Sequence, residues 1–588
     1  MSETTSVNPA TARGRRPAWA IALLVLISAA VYGPGACSTP VIDRDEARFA
    51  QASRQMLEAV TLDADARDAS LHGGGLVAPM VGDRPRLNKP PLIYWLQSAA
   101  VGTLTLGDPS RDAIWMYRVP SVLAAMVSVL ATAWLGTRIG GWRVGLFAGA
   151  MLLVCPLFAW EARQARADQV MVACTTLSMA ALHAMQGAIG RRRTVALLLV
   201  ALGVSLGVLA KGPITPMIVA LSWLARRLGG WTTELRWRDG LVLAGVVSAM
   251  LAPWVIALAA RFGWSELGSI WYDEVIARSA SAKEGHAGPP GYHLVLLAGL
   301  FWPGCLLTLW ALGRAVRLAW RVRTKGATAA ISEPFLLAWI LPAWLVFELV
   351  GTKLPHYTMP LYPPIAIITA LSLVRVQRLA RRGVNVRLGL GLLIWISIGA
   401  AWLVGATIGV GWPGWVDAAA WAPPERRMAL TGLAAACGVI ALIHSIRPLH
   451  RGDWLITHAI ALGAMVLWHV VVGGVLMAQH RDLWVTQRIE HALRADGWTP
   501  NAPLAAVGYH EDSLVFASRG RLERLDDLAS AADWAPGAPA RWIVAPAGDL
   551  NGLRPDWTPI APVQGLNYSR GDWVRLVVAR QRAEGTRP

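Results

Sequence analysis

The sequence predicts an all-α transmembrane bundle of about thirteen helices, followed by a small α/β domain at the C-terminal end. Three observations predict it. The 588 residues are 55% hydrophobic, include 30 Trp and are only 16% charged, and the mean hydropathy is +0.43, too apolar for a soluble domain. Apolar runs near the ~20 residues that a helix needs to cross the hydrocarbon core recur from Ala18 to about Ala478. Beyond about Gln479 the chain is far less apolar, and short β-like runs stand between Pro, Gly and Asp.

Taken in order, the expected spans lie near Ala18 to Ala36, Ser121 to Leu135, Val144 to Trp160, Val170 to Gly187, Val195 to Ala210, Ile214 to Ala225 and Leu241 to Ala260. Six more follow, near Leu294 to Leu312, Pro334 to Leu349, Leu361 to Val374, Leu388 to Val410, Met428 to Ile443 and Trp454 to Ala478. With the N-terminus inside, the basic clusters at Arg138 and Arg143, Arg191 to Arg193, Arg226 to Arg238, Arg314 to Lys325, Arg375 to Arg387 and Arg447 to Arg451 all fall on one side, which the positive-inside rule makes cytoplasmic. Arg163, Arg166, Arg426 and Arg427 are the exceptions and fall outside. The apolar segment opened by Lys89 to Trp95 and ending near Leu106 is not counted as a span, because counting it inverts every later cluster; it is expected to lie along the outer surface. Residues 1–17 are then a cytoplasmic tail, 18–478 the transmembrane domain with a long outer loop at 37–120, and 479–588 an outer domain whose strands are expected at Leu504 to Tyr509, Leu514 to Ala517, Trp542 to Ala545 and Trp573 to Ala579. Gly35-Ala36 has the small-residue character of a cleavage site, but this topology needs the first span, so a retained anchor is expected.

The formal charge of +18 does not imply nucleic acid, because the basic residues are scattered in short clusters between apolar runs, where anionic lipids are their natural partners. The five cysteines lack CxxC spacing, so neither a disulfide framework nor a metal cluster is expected.

Acidic residues that are hard to explain structurally collect on the outer face. Asp45 and Glu46 are expected at the start of a short helix in the first loop, where the positive end of the dipole keeps a carboxylate ionised. Asp168 ends the second outer loop. Helix capping is an even alternative for Asp45 and for Asp168 taken singly; their shared face favours function. Lys89, before a double proline, and Lys353, in Gly351 to Tyr357, sit in proline-fixed irregular backbone and are candidates for binding an anion; Lys211 is as well explained by snorkelling. His286, before Gly-Pro-Pro-Gly, is a weak metal-ligand candidate without a second ligand at diagnostic spacing.

Six ordered segments carry a resemblance: Asp45-Glu46-Ala47-Arg48-Phe49-Ala50, Lys89 to Trp95, Arg118-Val119-Pro120-Ser121, Ala165-Arg166-Ala167-Asp168, Ala210-Lys211-Gly212-Pro213 and Lys353 to Tyr357. They resemble the polytopic glycosyltransferases related to aminoarabinose transferase and, more distantly, the protein O-mannosyltransferases. The resemblance implies a GT-C fold in a bacterial inner membrane, with catalytic parts in periplasmic loops and a polyprenyl-phosphate sugar as donor. It makes Asp45 the essential first-loop carboxylate, with Glu46 beside it, and Asp168 the acidic residue of the second loop. Lys89, Arg278 and Tyr357 match positions that hold the carrier phosphate, with Lys353 and Lys211 as further phosphate candidates. Two departures stand out. Asn88 replaces an acidic residue sometimes tied to a divalent metal, which leaves no cofactor certain, and the segment from Thr61 to Val77 is an insertion.

The expected function is therefore inverting sugar transfer from a polyprenyl (undecaprenyl) phosphate to an envelope acceptor, such as a lipid A-like glycolipid, another glycan or a protein. A lipid or sugar transporter is the alternative, but it should carry ionisable residues at mid-span and related halves, which the sequence lacks. A non-catalytic assembly factor leaves Asp45, Asp168 and Lys89 without a role.

Overall fold

A computed structural model describes residues 17–231, 235–273, 288–325, 332–384, 389–411, 424–530, 534, 540–552 and 557–582. Long apolar helices dominate because, in hydrocarbon, a helix satisfies every backbone polar group within its own segment. Among the described residues nine helices are long and apolar enough to cross a membrane, the first being Ala18–Ser38 and the last Trp454–Gln479, so the chain is a multi-pass membrane protein.

Each of the thirteen expected spans meets helical chain, but two are broken and two are short. The run from Val144 to Trp160 splits into Trp142–Val154 and Pro156–Ala162, bent by 65° at Cys155, where Pro156 has no N–H to continue the ladder. The carbonyls freed there are taken up by neighbours: Tyr32 Oη donates to Leu153 O at 3.0 Å and His469 Nε2 to Val154 O at 2.9 Å. The run from Leu294 to Leu312 divides into Tyr292–Leu300 and Thr308–Lys325. Asp168–Ala184 and Ile214–Leu228 have only 17 and 15 residues.

Two arginines that defied the positive-inside pattern are spent on backbone. Arg163 is 4% exposed and donates to Val31 O and His469 O. Arg427 donates to Val410 O and Gln479 O, where two other spans end. Their charge serves helix irregularities, which is why a rule about loop surfaces misplaces them.

The first loop holds the helix Asp45–Thr61, a two-strand hairpin (β1 Met80–Val81, β2 Arg84–Pro85) and the helix Leu92–Leu104. At 13 residues that last helix is too short to span. The Thr61 to Val77 insertion folds back on its neighbours through His72 Nε2 to Glu58 Oε2 at 3.1 Å and Trp254 Nε1 to Val77 O at 3.0 Å.

The C-terminal domain packs the helix Val485–Ala495 on a five-stranded sheet of β3 Leu504–Val507, β4 Leu522–Leu525, β5 Ala540–Pro546, β6 Trp557–Asn567 and β7 Asp572–Arg582, in the order β4-β3-β5-β7-β6. β3 runs parallel to β4 and β5; β7 is antiparallel to β5 and β6. The strand expected at Leu514 to Ala517 is instead part of the helix Asp512–Ala517: a four-residue apolar run does not distinguish strand from helix, and Asp512 favours a helix start. β4 and β6 are not among the expected strands; β6 carries Pro559 and Pro562, which a strand tolerates only at a sheet edge, where β6 lies.

This domain docks on the first loop through charge. Arg519 pairs with Glu58 at 2.5 Å and Asp112 at 3.2 Å, Arg48 with Asp512 at 2.7 Å, and Arg54 donates to Phe516 O at 2.6 Å.

Candidate active site

The helix Asp45–Thr61 starts immediately after Arg44, whose φ of +63° turns the chain so that Asp45 and Glu46 form the first helical turn. The two neighbouring carboxylates have opposite fates. Glu46 has no exposed side-chain surface. Its Oε1 accepts from Arg118 Nε at 2.8 Å and Ala165 N at 2.7 Å, and its Oε2 from Arg118 Nη2 at 2.7 Å and Ile42 N at 2.8 Å. Arg118 spends its remaining N–H groups on Ala36 O, Thr39 O and Pro40 O. Glu46, expected beside Asp45 as a catalytic carboxylate, sits here as a buried strut. All its lone pairs are occupied, and it ties the first span, the first loop and the second loop together.

Asp45 keeps 41% of its side-chain surface open, and the space it faces is a cavity of about 920 Å³. Arg86 Nη2 lies 3.1 Å from its Oδ1 and Arg166 Nη2 3.3 Å from its Oδ2. Burial raises the carboxyl's affinity for a proton, but Arg166, Arg86, Lys89 and Lys211 outweigh it and hold the group well below the ordinary carboxylate range. Asp45 therefore enters the cavity as an anion.

Asp168, 2% exposed, begins its helix at the same cavity. Lys211 Nζ donates to its Oδ1, so Lys211 is engaged with a carboxylate rather than with headgroups. Arg166 bridges the set, with Nη1 3.1 Å from Glu161 Oε1 and Nε 3.9 Å from Asp168 Oδ2. His356 reaches Glu161 at 3.9 Å and Asp168 at 3.8 Å. Lys89 and Tyr357 also line the cavity, and Leu296, Leu300, Trp402, Trp468 and Met477 form an apolar portion of its wall.

Asp45, Lys89, Asp168, Lys211 and Tyr357 are thus brought together. Lys353 is not among the residues lining this cavity: its Nζ donates to Val350 O at 3.2 Å and its stem packs against Gly288. Arg278 and His286 lie outside the described residues. Among the described residues no group of three or more His, Cys, Asp or Glu is placed to hold a metal. Asp45, Glu161 and Asp168 face Arg and Lys in this cavity instead. Arg166 and His356 lie within the motif segments and Glu161 lies just before one, so proximity to the motifs is their sequence signal. Arg86 and the cavity-lining Tyr568 and Ser569 carried none.

One neighbouring group is set to respond to pH. Burial, with Glu511 and Asp512 adding to it against a hydrogen bond from Ser513, pushes Asp43 from 3.8 up to about 7. The folded state then holds a proton that the unfolded chain releases near pH 4, so this contribution to stability falls as pH rises from about 4 to about 7 and levels off above. Thermal unfolding of the protein in nanodiscs should show that slope and lose it in Asp43→Asn; an identical slope in the variant excludes Asp43 as its source.

Comparison with known proteins bears on the fold. Residues 88–262 match the family model described as dolichyl-phosphate-mannose-protein mannosyltransferase. The undecaprenyl phosphate-alpha-4-amino-4-deoxy-L-arabinose arabinosyl transferase of Pseudomonas aeruginosa is 30% identical over 374 residues, 61% of each chain. The enzyme of the same name from Erwinia tasmaniensis is 28% identical over 337 residues, 55% of this chain and 54% of that one. The chain therefore matches about three fifths of these relatives' length. Among solved structures, ArnT from Cupriavidus metallidurans bound to undecaprenyl phosphate superposes with a TM-score of 0.72 at 19% identity, covering 97% of this chain and 99% of that one. The archaeal oligosaccharyltransferase AglB from Archaeoglobus fulgidus gives 0.50 at 10% identity, covering 90% and 70%. Family model, relatives and fold agree: this chain is a polytopic membrane protein of GT-C fold, similar to the aminoarabinose transferases and to the dolichyl-phosphate-mannose-protein mannosyltransferases.

Proposed function

We propose that the protein is an inverting glycosyltransferase that takes a sugar from a polyprenyl-phosphate carrier and passes it to an envelope glycolipid, glycan or protein on the periplasmic face of the inner membrane. The observation that carries this reading is the cavity itself. An ionised, accessible Asp45 stands beside Lys89 and a paired Asp168, above an apolar wall suited to a polyprenyl chain. The relatives' name, undecaprenyl phosphate-alpha-4-amino-4-deoxy-L-arabinose arabinosyl transferase, supports the donor class.

The donor's leaving group is a phosphate already anionic at neutral pH, so stabilising its growing charge matters more than protonating it. Lys89 supplies that charge, with the Tyr357 hydroxyl as a donor beside it and Arg278 as a further candidate. Lys211 is a poorer phosphate ligand, because Asp168 already neutralises it. Asp45 orients the acceptor hydroxyl on the opposite face of the sugar and takes its proton, which inverts the anomeric carbon. A carboxylate held so acidic is a weak base while its cations face it alone. A bound phosphate shares Lys89 and Arg166, and so restores basicity to Asp45 as the donor arrives.

Removing a charged hydrogen-bond partner costs about 1.5–3 kcal/mol. Lys89→Ala should therefore lower kcat/KM for the donor by roughly 10- to 100-fold, measured with undecaprenyl-phosphate sugars on purified protein in nanodiscs. An unchanged kcat/KM removes Lys89 from the phosphate site. Comparing envelope glycolipids by mass spectrometry with and without the gene tests the whole reading and names the sugar; no difference in any glycosylated envelope component counts against it.

A further inference from the structure

Arg44 is strained: with φ +63° and ψ −118° it lies outside the conformations that a side-chain-bearing residue adopts easily. Such a residue costs about 1–3 kcal/mol and persists only where its surroundings over-determine it. Here much of the surroundings comes from the far end of the chain. The Asp43 amide donates to Tyr568 Oη at 2.8 Å, across 525 residues. The Arg44 guanidinium donates to Ser569 O, and Ser513 N donates to Asp43 Oδ1 at 2.9 Å. Tyr568 and Ser569 occupy the turn between β6 and β7, and both line the cavity that Asp45 faces. Tyr568 is itself braced, its ring set edge-on to Trp484 at 6.0 Å, while Asn567 Nδ2 donates to Glu511 Oε1 at 2.8 Å at the turn's base.

We propose that the C-terminal domain is a working part of the active site, with Tyr568 as a positioning residue that fixes Asp45 through the Asp43–Arg44 turn. The proposal rests on Asp45 being the group that handles the acceptor. The tyrosine hydroxyl holds the amide two residues before the catalytic carboxylate, and the strained residue lies between them. Any play in that turn is passed to Asp45 at the head of its helix, where a displacement of an ångström is enough to slow a reaction strongly. Placing these contacts in a separate domain also makes completion of the cavity depend on docking of that domain. The Arg519, Arg48 and Arg54 contacts hold the dock without touching the turn.

The test is Tyr568→Phe in the full chain in nanodiscs, which keeps the ring against Trp484 and deletes only the hydroxyl. Hydrogen–deuterium exchange of the peptide spanning Asp43 to Glu46, read without substrate, should quicken by about tenfold, the equivalent of one net hydrogen bond. With undecaprenyl-phosphate sugar and acceptor, kcat should fall by about tenfold while the donor KM and the unfolding temperature stay at wild-type values. Wild-type exchange in the variant overturns the clasp. Faster exchange with wild-type kcat makes the contact structural glue and overturns the positioning role, as does a change confined to KM. If the wild-type protein transfers no sugar at all, the functional reading fails and the positioning role with it, while the exchange result still decides whether the turn is clasped.

Discussion

Asp45→Asn should lower the transfer rate by at least about 10²-fold, the smaller end of what a positioned acid or base contributes, and leave the protein folded. The substitution keeps the shape of the side chain and, on the amide oxygen, one acceptor for Arg86 or Arg166, but it removes the charge and the ability to take a proton. The side chain keeps 41% of its surface open and is not a packing element, but its ion pairs with Arg86 and Arg166 are lost, so the unfolding temperature in nanodiscs should fall while the protein still folds. Single-turnover transfer with a bound polyprenyl-phosphate sugar gives the rate directly. Residual activity above a tenth of wild type removes Asp45 from the proton-accepting role.

The second large effect lies in stability rather than turnover. Arg118 is fully buried and makes five hydrogen bonds, two of them to Glu46. Breaking a buried ion pair on one side leaves an uncompensated charge and costs roughly 3–5 kcal/mol. Arg118→Ala should therefore reduce folded protein sharply and lower its unfolding temperature, with Glu46→Ala behaving alike. The double variant should be less damaged than the two single losses added together, since the second removal no longer strands a charge. Full additivity of the two losses contradicts the strut.

How much of this was legible in the sequence follows from the reach of each signal. Span positions could be read because an apolar run of ~20 residues is a local property. The break at Cys155 could not be, because its tolerance depends on Tyr32 and His469 arriving from other spans to take the freed carbonyls. Arg163 and Arg427 misled the charge pattern for the same reason. Within the site, the short motifs located Asp45, Lys89 and Asp168, yet they treated Asp45 and Glu46 as a pair. Only the fold separates them, because Arg118, 72 positions on, claims one and leaves the other open. Lys353 shares a motif with Tyr357 and still turns back on the carbonyl of Val350. Tyr568 had no signal at all: a tyrosine in a hairpin turn is unremarkable until the domain carrying it docks beside Asp43.

The central claim is that Asp45, Lys89 and Asp168 surround the place where a lipid phosphate and its sugar are held. A cryo-electron microscopy structure of the full chain in nanodiscs with undecaprenyl phosphate tests it most directly. The account predicts phosphate density within hydrogen-bond reach of Lys89 Nζ, the polyprenyl chain along Leu296, Trp402 and Trp468, and Asp45 facing the space beside the phosphate. Phosphate bound elsewhere, with Lys89 still turned to protein partners and the cavity filled only by solvent, would contradict it.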